Sequence, residues 1–119
     1  MVMVLSFLEH VNIQNFLENK NIYIVEFDLE KNKTYNNRRD NILNNISYMN
    51  NQILNKNHDE SYYHITDSSY ILISDIDDIS KIENILDTGH KHDTVMVIPI
   101  DKTKITYDII KVISNLLEQ

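Results

Sequence analysis

The sequence predicts an α+β domain with an antiparallel sheet, on three observations. Four short runs rich in β-branched and aromatic residues lie at 22–29, 60–65, 70–74 and 95–100. Two segments with apolar residues at helical spacing separate them, so that 22–100 reads β-α-β-β-α-β. The first and third runs are apolar on both faces, whereas the second is more polar and the fourth contains Pro99, which assigns two inner and two edge strands.

Each element has its own signature. Ile22-Tyr-Ile-Val-Glu-Phe-Asp-Leu29 carries apolar groups at nearly every position and belongs in the sheet's interior. Over 36–56, Ile42, Leu43, Ile46, Met49, Ile53 and Leu54 repeat at helical spacing among asparagines, which are mediocre helix formers, so packing rather than propensity must hold this helix. Thr66-Asp-Ser-Ser69 separates the second and third runs with side chains that bond their own backbone, predicting a hairpin. Asp75, Asp77 and Asp78 precede Ile79, Ile82, Ile85 and Leu86, the pattern of an acid-capped helix, with Gly89 as its expected stop. Further amphipathic helices are predicted at about 5–18, around Leu5, Leu8, Val11 and Phe16, and at 105–118, around Ile105, Ile109, Val112, Ile113, Leu116 and Leu117. The core order and its burial pattern suit the ferredoxin-like arrangement 4-1-3-2.

A chain of 119 residues supports one hydrophobic core, so a single domain over 1–119 is expected. With 42% apolar and 24% charged residues it has the composition of a folded protein. It contains no cysteine, which excludes disulfides, zinc–thiolate sites, iron–sulfur clusters and thiol nucleophiles, and its single glycine rules out a glycine-rich phosphate loop. The apolar start lacks a basic lead and meets Glu9 before a membrane span of about 20 residues is complete, so no membrane association and a cytoplasmic location are expected. Abundant Ile and Asn with no Ala point to an AT-rich genome, such as that of a phage or mobile element. The net charge of −7 opposes general nucleic-acid binding. Lys31, Lys33, Arg38 and Arg39 form a local basic cluster, read either as a solvated face or as a contact for RNA.

The stretch 22–100 resembles the CRISPR-associated adaptation proteins that partner the spacer integrase, and more closely their small SinR-like relatives. Tyr23-Ile-Val-Glu-Phe-Asp-Leu29 looks like their first strand ending in aromatic-Asp-aliphatic. Tyr63-His-Ile-Thr-Asp-Ser-Ser-Tyr-Ile-Leu72 resembles their hairpin, Ile76–Ile82 their acid-capped helix, and Asp93–Ile98 their Asp-led last strand. The predicted C-terminal helix departs from the family, whose adaptation proteins have a strand crossing to the partner subunit there. The resemblance implies that Asp28 binds a divalent metal together with its dimer mate in a nuclease; Mg²⁺, which needs only one or two carboxylates, suits that role. The competing reading of Asp28 is a carboxylate capping the following loop.

Other candidates come from the residues themselves. His64, among Tyr62, Tyr63 and Tyr70, is placed for acid–base work or for packing on aromatic rings. His90, His92 and Asp93 allow a metal site if extended, against the alternative of a solvated loop. Two functional expectations follow. One is a noncatalytic, homodimeric protein-interaction or regulatory protein without cofactor, in its sharpest form an inhibitor of a host defence system such as CRISPR. The other is a Mg²⁺-dependent endoribonuclease or toxin centred on Asp28, with the basic cluster holding RNA.

Overall fold

The computed structural model describes residues 14–55, 62–104 and 107–118. Its elements are β1 (Asn21–Asp28), α1 (Tyr35–Leu54), β2 (His64–Thr66), β3 (Ser69–Ser74), α2 (Ile79–Leu86), β4 (Thr94–Pro99), a 3₁₀ turn (Lys102–Lys104) and α3 (Tyr107–Glu118). Residues 14–17 are also helical. The fold is α+β, with one antiparallel four-stranded sheet in the order β2-β3-β1-β4, which is 4-1-3-2 when read from β4. The doubly apolar β1 and β3 lie inside, and β2 and β4 form the edges.

Alternation along the strands builds two cores. On the first face, Tyr23, Val25 and Phe27 of β1 meet Tyr70 and Leu72 of β3 and Val97 of β4. Ile42, Leu43, Ile46 and Met49 of α1, with Ile82 and Leu86 of α2, cover them. On the second face, Ile22, Ile71 and Ile73 are covered by Leu17 and by Ile110, Ile113 and Leu116 of α3. The helical spacing of these α3 residues gives one buried stripe.

Several boundaries differ from the sequence reading. The second strand, expected over 60–65, is only three residues long within the described region; 60–61 lie outside it. Its brevity leaves the outer side of β3 short of strand partners, and a helix side chain fills the place. Ile71 N–H still reaches Tyr63 C=O, at 3.1 Å. Further along, the fully buried Asn50 of α1 accepts from Ile73 N–H at 2.8 Å and donates to Ile71 C=O at 3.2 Å. Gly89 is not the stop of α2: that helix ends at Asp87 in an extended conformation, and Gly89 follows at φ 72°, its N–H held by the Asp87 carboxylate. At the other end Asp78 caps α2 by accepting from Ser80 N–H. Leu5, Leu8, Val11 and Ile105 of the expected terminal helices lie outside the described residues, whereas Leu17 is buried. Among the described residues no helix is long and apolar enough to cross a membrane.

Two substitutions in α1 test this packing. Asn50→Leu keeps the branched shape and the number of heavy atoms but strands two buried backbone groups, and should cost about 3 kcal/mol in urea unfolding. Ser47 is buried with no partner for its hydroxyl. Ser47→Ala should therefore stabilise the protein by about 1 kcal/mol, read from the same urea midpoint.

Candidate functional site

The apolar stripe on the second face stops partway along the sheet. On β1 the residues of that face run Ile22, Ile24, Glu26, Asp28; on β3 they run Ile73, Ile71, Ser69. α3 and Leu17 cover the isoleucine half; in the polar half Asp28 is exposed, Glu26 half-buried and Ser69 buried. A depression of about 310 Å³ marks it, with Glu26, Asp28, Ser68, Ser69 and Thr94 in its wall. Asp28 is exposed there, and Glu26, two residues earlier on the same face, accepts from Ser69 Oγ at 3.3 Å. Glu26 was not singled out in the sequence, although the period-two spacing to Asp28 was the signal for it.

The structure disperses the basic cluster. Arg38 is buried, not solvated: its guanidinium meets the Asp93 carboxylate and donates to Glu30 C=O at 2.5 Å and to Asn32 Oδ1 at 2.8 Å. Arg39 donates to the Tyr70 hydroxyl at 3.1 Å. Tyr70 belongs to the first face, stacked on Phe27 and edge-on to Tyr62, so the sheet itself stands between Arg39 and Asp28. Lys31 and Lys33 remain exposed in the loop after β1.

Asp93 is likewise committed. It accepts from Arg38, from Thr88 Oγ1 at 2.6 Å and from Glu30 N–H at 2.8 Å, with its side chain 2% exposed. Burial pushes its carboxyl up, but the hydrogen bonds from Arg38, Thr88 and Glu30 outweigh this and hold it at about 2. His90 packs beside it, 3.4 Å from the Glu30 carboxylate and 3.2 Å from Asn32 Nδ2, and its Nδ1 accepts from His92 N–H. The loop 87–93 is thus a hydrogen-bonded tie between α2 and β4, and it takes Asp93 away from any metal role. Asp75 pairs with Lys20, and Asp78 caps α2, so these two aspartates serve separate purposes. His64 lies in β2 opposite Tyr70 in the strand register.

The residues around Asp28 were also tested against the Mg²⁺ that the resemblance implies. One chain supplies two carboxylates, Glu26 and Asp28, and among the described residues no group of three His, Cys, Asp or Glu side chains is placed to hold a metal. No reaction step is assigned to a metal there. What this surface does chemically is present negative charge and hydroxyl groups in a shallow, partly open depression that Phe27 and Met96 also line.

The buried ion pair makes an acid-sensitivity prediction. Because Asp93 titrates lower in the folded chain than its ordinary 3.8, its stabilising contribution is complete above that value and disappears as the pH falls towards 2. Urea midpoints should drop over that window. Asp93→Asn should remove this component of the drop while costing about 3 kcal/mol at neutral pH, since it leaves the Arg38 charge buried without a counter-charge. The chain matches no protein-family model, no curated protein and no solved structure.

Proposed function

We propose that this chain is a noncatalytic interaction protein, built as a ferredoxin-like domain, that works as a homodimer and binds a basic surface of another protein. The observation that carries this reading is the acidic half of the second sheet face, where Glu26 and Asp28 lie side by side outside the cover of α3. The net charge of −7 reinforces it at long range, drawing a basic partner in and repelling free nucleic acid. A surface that normally holds nucleic acid fits as the target, because closely spaced carboxylates reproduce the sign and density of phosphate charge. An inhibitor of a host defence protein, encoded by a phage or mobile element, is the biological setting that agrees with this chemistry.

The nuclease reading asks for cations beside Asp28 to hold the phosphate chain. Arg38 is spent on Asp93 and Arg39 sits behind the sheet, so that of the four-residue cluster only Lys31 and Lys33 stay exposed near Asp28, which counts against it.

Co-purification from the native host, with and without charge reversal, tests the proposal. The wild-type chain should retain a stoichiometric protein, and the double variant Glu26→Lys/Asp28→Lys should lose it, with affinity falling about 100-fold and an unchanged fold by circular dichroism. Recovery of RNA that shortens only with Mg²⁺ and intact Asp28 would replace this reading with the nuclease.

A further inference from the structure

The two edges of the sheet are built differently. β2 is three residues long, has a bulge between His64 and Thr66, and is succeeded by the Asn50 side chain, so it offers little to a foreign strand. β4 is six residues long and pairs with β1 in regular register from Thr94 to Pro99. Its edge protection is confined to Pro99 at its end: no charged residue occurs between Thr94 and Pro99.

Its side chains point the same way. On the second face, beyond the cover of α3, the inner strands turn polar, at the half-buried Glu26, the exposed Asp28 and the buried Ser69. β4 does not follow them. Met96, which pairs with Glu26, is 47% exposed, and Ile98, which pairs with Ile24, is 39% exposed. The exposed apolar groups of the sheet therefore sit along its edges, Ile65 on the short β2 and Met96 and Ile98 on β4, rather than across the face.

The hydrogen-bond register states which backbone groups remain to be used. Ile100 N–H donates to Ile22 C=O, so by alternation Ile98, Met96 and Thr94 direct their backbone groups to β1. Asp93, Val95, Val97 and Pro99 direct theirs outward. Proline has no N–H, and the Asp93 N–H is already given to His90 C=O at 3.1 Å. Val95 and Val97 alone retain outward donors, and Met96 lies midway between them.

We infer that a second copy of this chain pairs with the β4 edge antiparallel, about a twofold axis at Met96, to make one continuous sheet. In that register Val95 of each copy faces Val97 of the other, and every outward N–H of these valines meets a carbonyl. Pro99 and Asp93 fall opposite one another, where no ladder bond is needed, so the two residues that cannot donate set the length of the paired segment. Met96 packs on Met96, and Ile98 lies across from Thr94 of the second copy. Two chains of charge −7 tolerate this contact, because Glu26 and its symmetry mate stand three strand spacings apart, about 14 Å, beyond the screening length of about 8 Å. This inference deepens the proposed function by naming where the second copy docks, and it rests on that reading only in taking self-association as part of how the protein works.

Sedimentation equilibrium of the purified chain, with no other partner present, tests it separately from the charge-reversal experiment. The wild type should sediment at twice its 14.1 kDa mass, and Met96→Lys should self-associate about 100-fold more weakly with an unaltered circular dichroism spectrum. The axis is read by cysteine substitution in a protein with no cysteine of its own. Met96→Cys should oxidise to a covalent dimer, because a non-hydrogen-bonded antiparallel pair places Cα atoms about 4.5 Å apart, within disulfide range. Ile98→Cys should not, since its counterpart lies several residues along the strand. A wild type that stays monomeric throughout the micromolar range, a Met96→Lys chain that dimerises as well as wild type, or equal cross-linking by the two cysteine variants would each overturn the inference.

Discussion

The buried pair of Arg38 and Asp93 holds together the end of the molecule on which its function is proposed to lie. A charged guanidinium out of water is costly unless each of its nitrogens is hydrogen-bonded. Arg38 meets that demand by reaching the Asp93 carboxylate before β4, Glu30 C=O and Asn32 after β1, and Thr34 Oγ1 at the start of its own helix. One side chain thereby ties both loops at the Asp28 end of the sheet to the first turn of α1. α1 has no side-chain cap of its own, so this network takes over the fastening of its start.

The same economy of polar groups governs the opposite edge. β2 stops after three residues, and Asn50 stands where a longer strand would have given its backbone. A buried edge that is satisfied by a helix side chain is closed to further pairing. β4 contrasts with it, being longer, regular, uncharged and limited only by a proline and a spent N–H, and the inferred strand pairing rests on that contrast.

Function and fold meet on the second sheet face. α3 and Leu17 cover only as much of it as the isoleucines of β1 and β3 extend, and the remainder carries carboxylates and hydroxyls. The proposed binding function rests on this acidic surface and on the inferred pairing of the β4 edge beside it. Of the cations close to Asp28 in sequence, Arg38 is used in building the fold and Arg39 lies behind the sheet, which leaves only Lys31 and Lys33 exposed in the loop after β1.

The strands, their inner or edge positions and the amphipathic helices were legible in the chain because alternation and helical periodicity are local properties: Tyr70-Ile-Leu-Ile73 is apolar on both faces wherever it is placed. Asp78 as a cap was legible for the same reason, since its acceptor serves the N–H two residues on. By itself, then, the sequence determined the element types, which strands lie inside, and the acidic character of the whole. Only tertiary structure decided that Arg38 is buried rather than solvated, because its counter-charge lies 55 residues away. The same holds for Asn50, which looks like compositional bias along the chain and becomes an edge cap only when α1 crosses β3. Whether a polar group faces water or completes another group's hydrogen bonds depends on what the fold brings opposite it, and no local pattern carries that information.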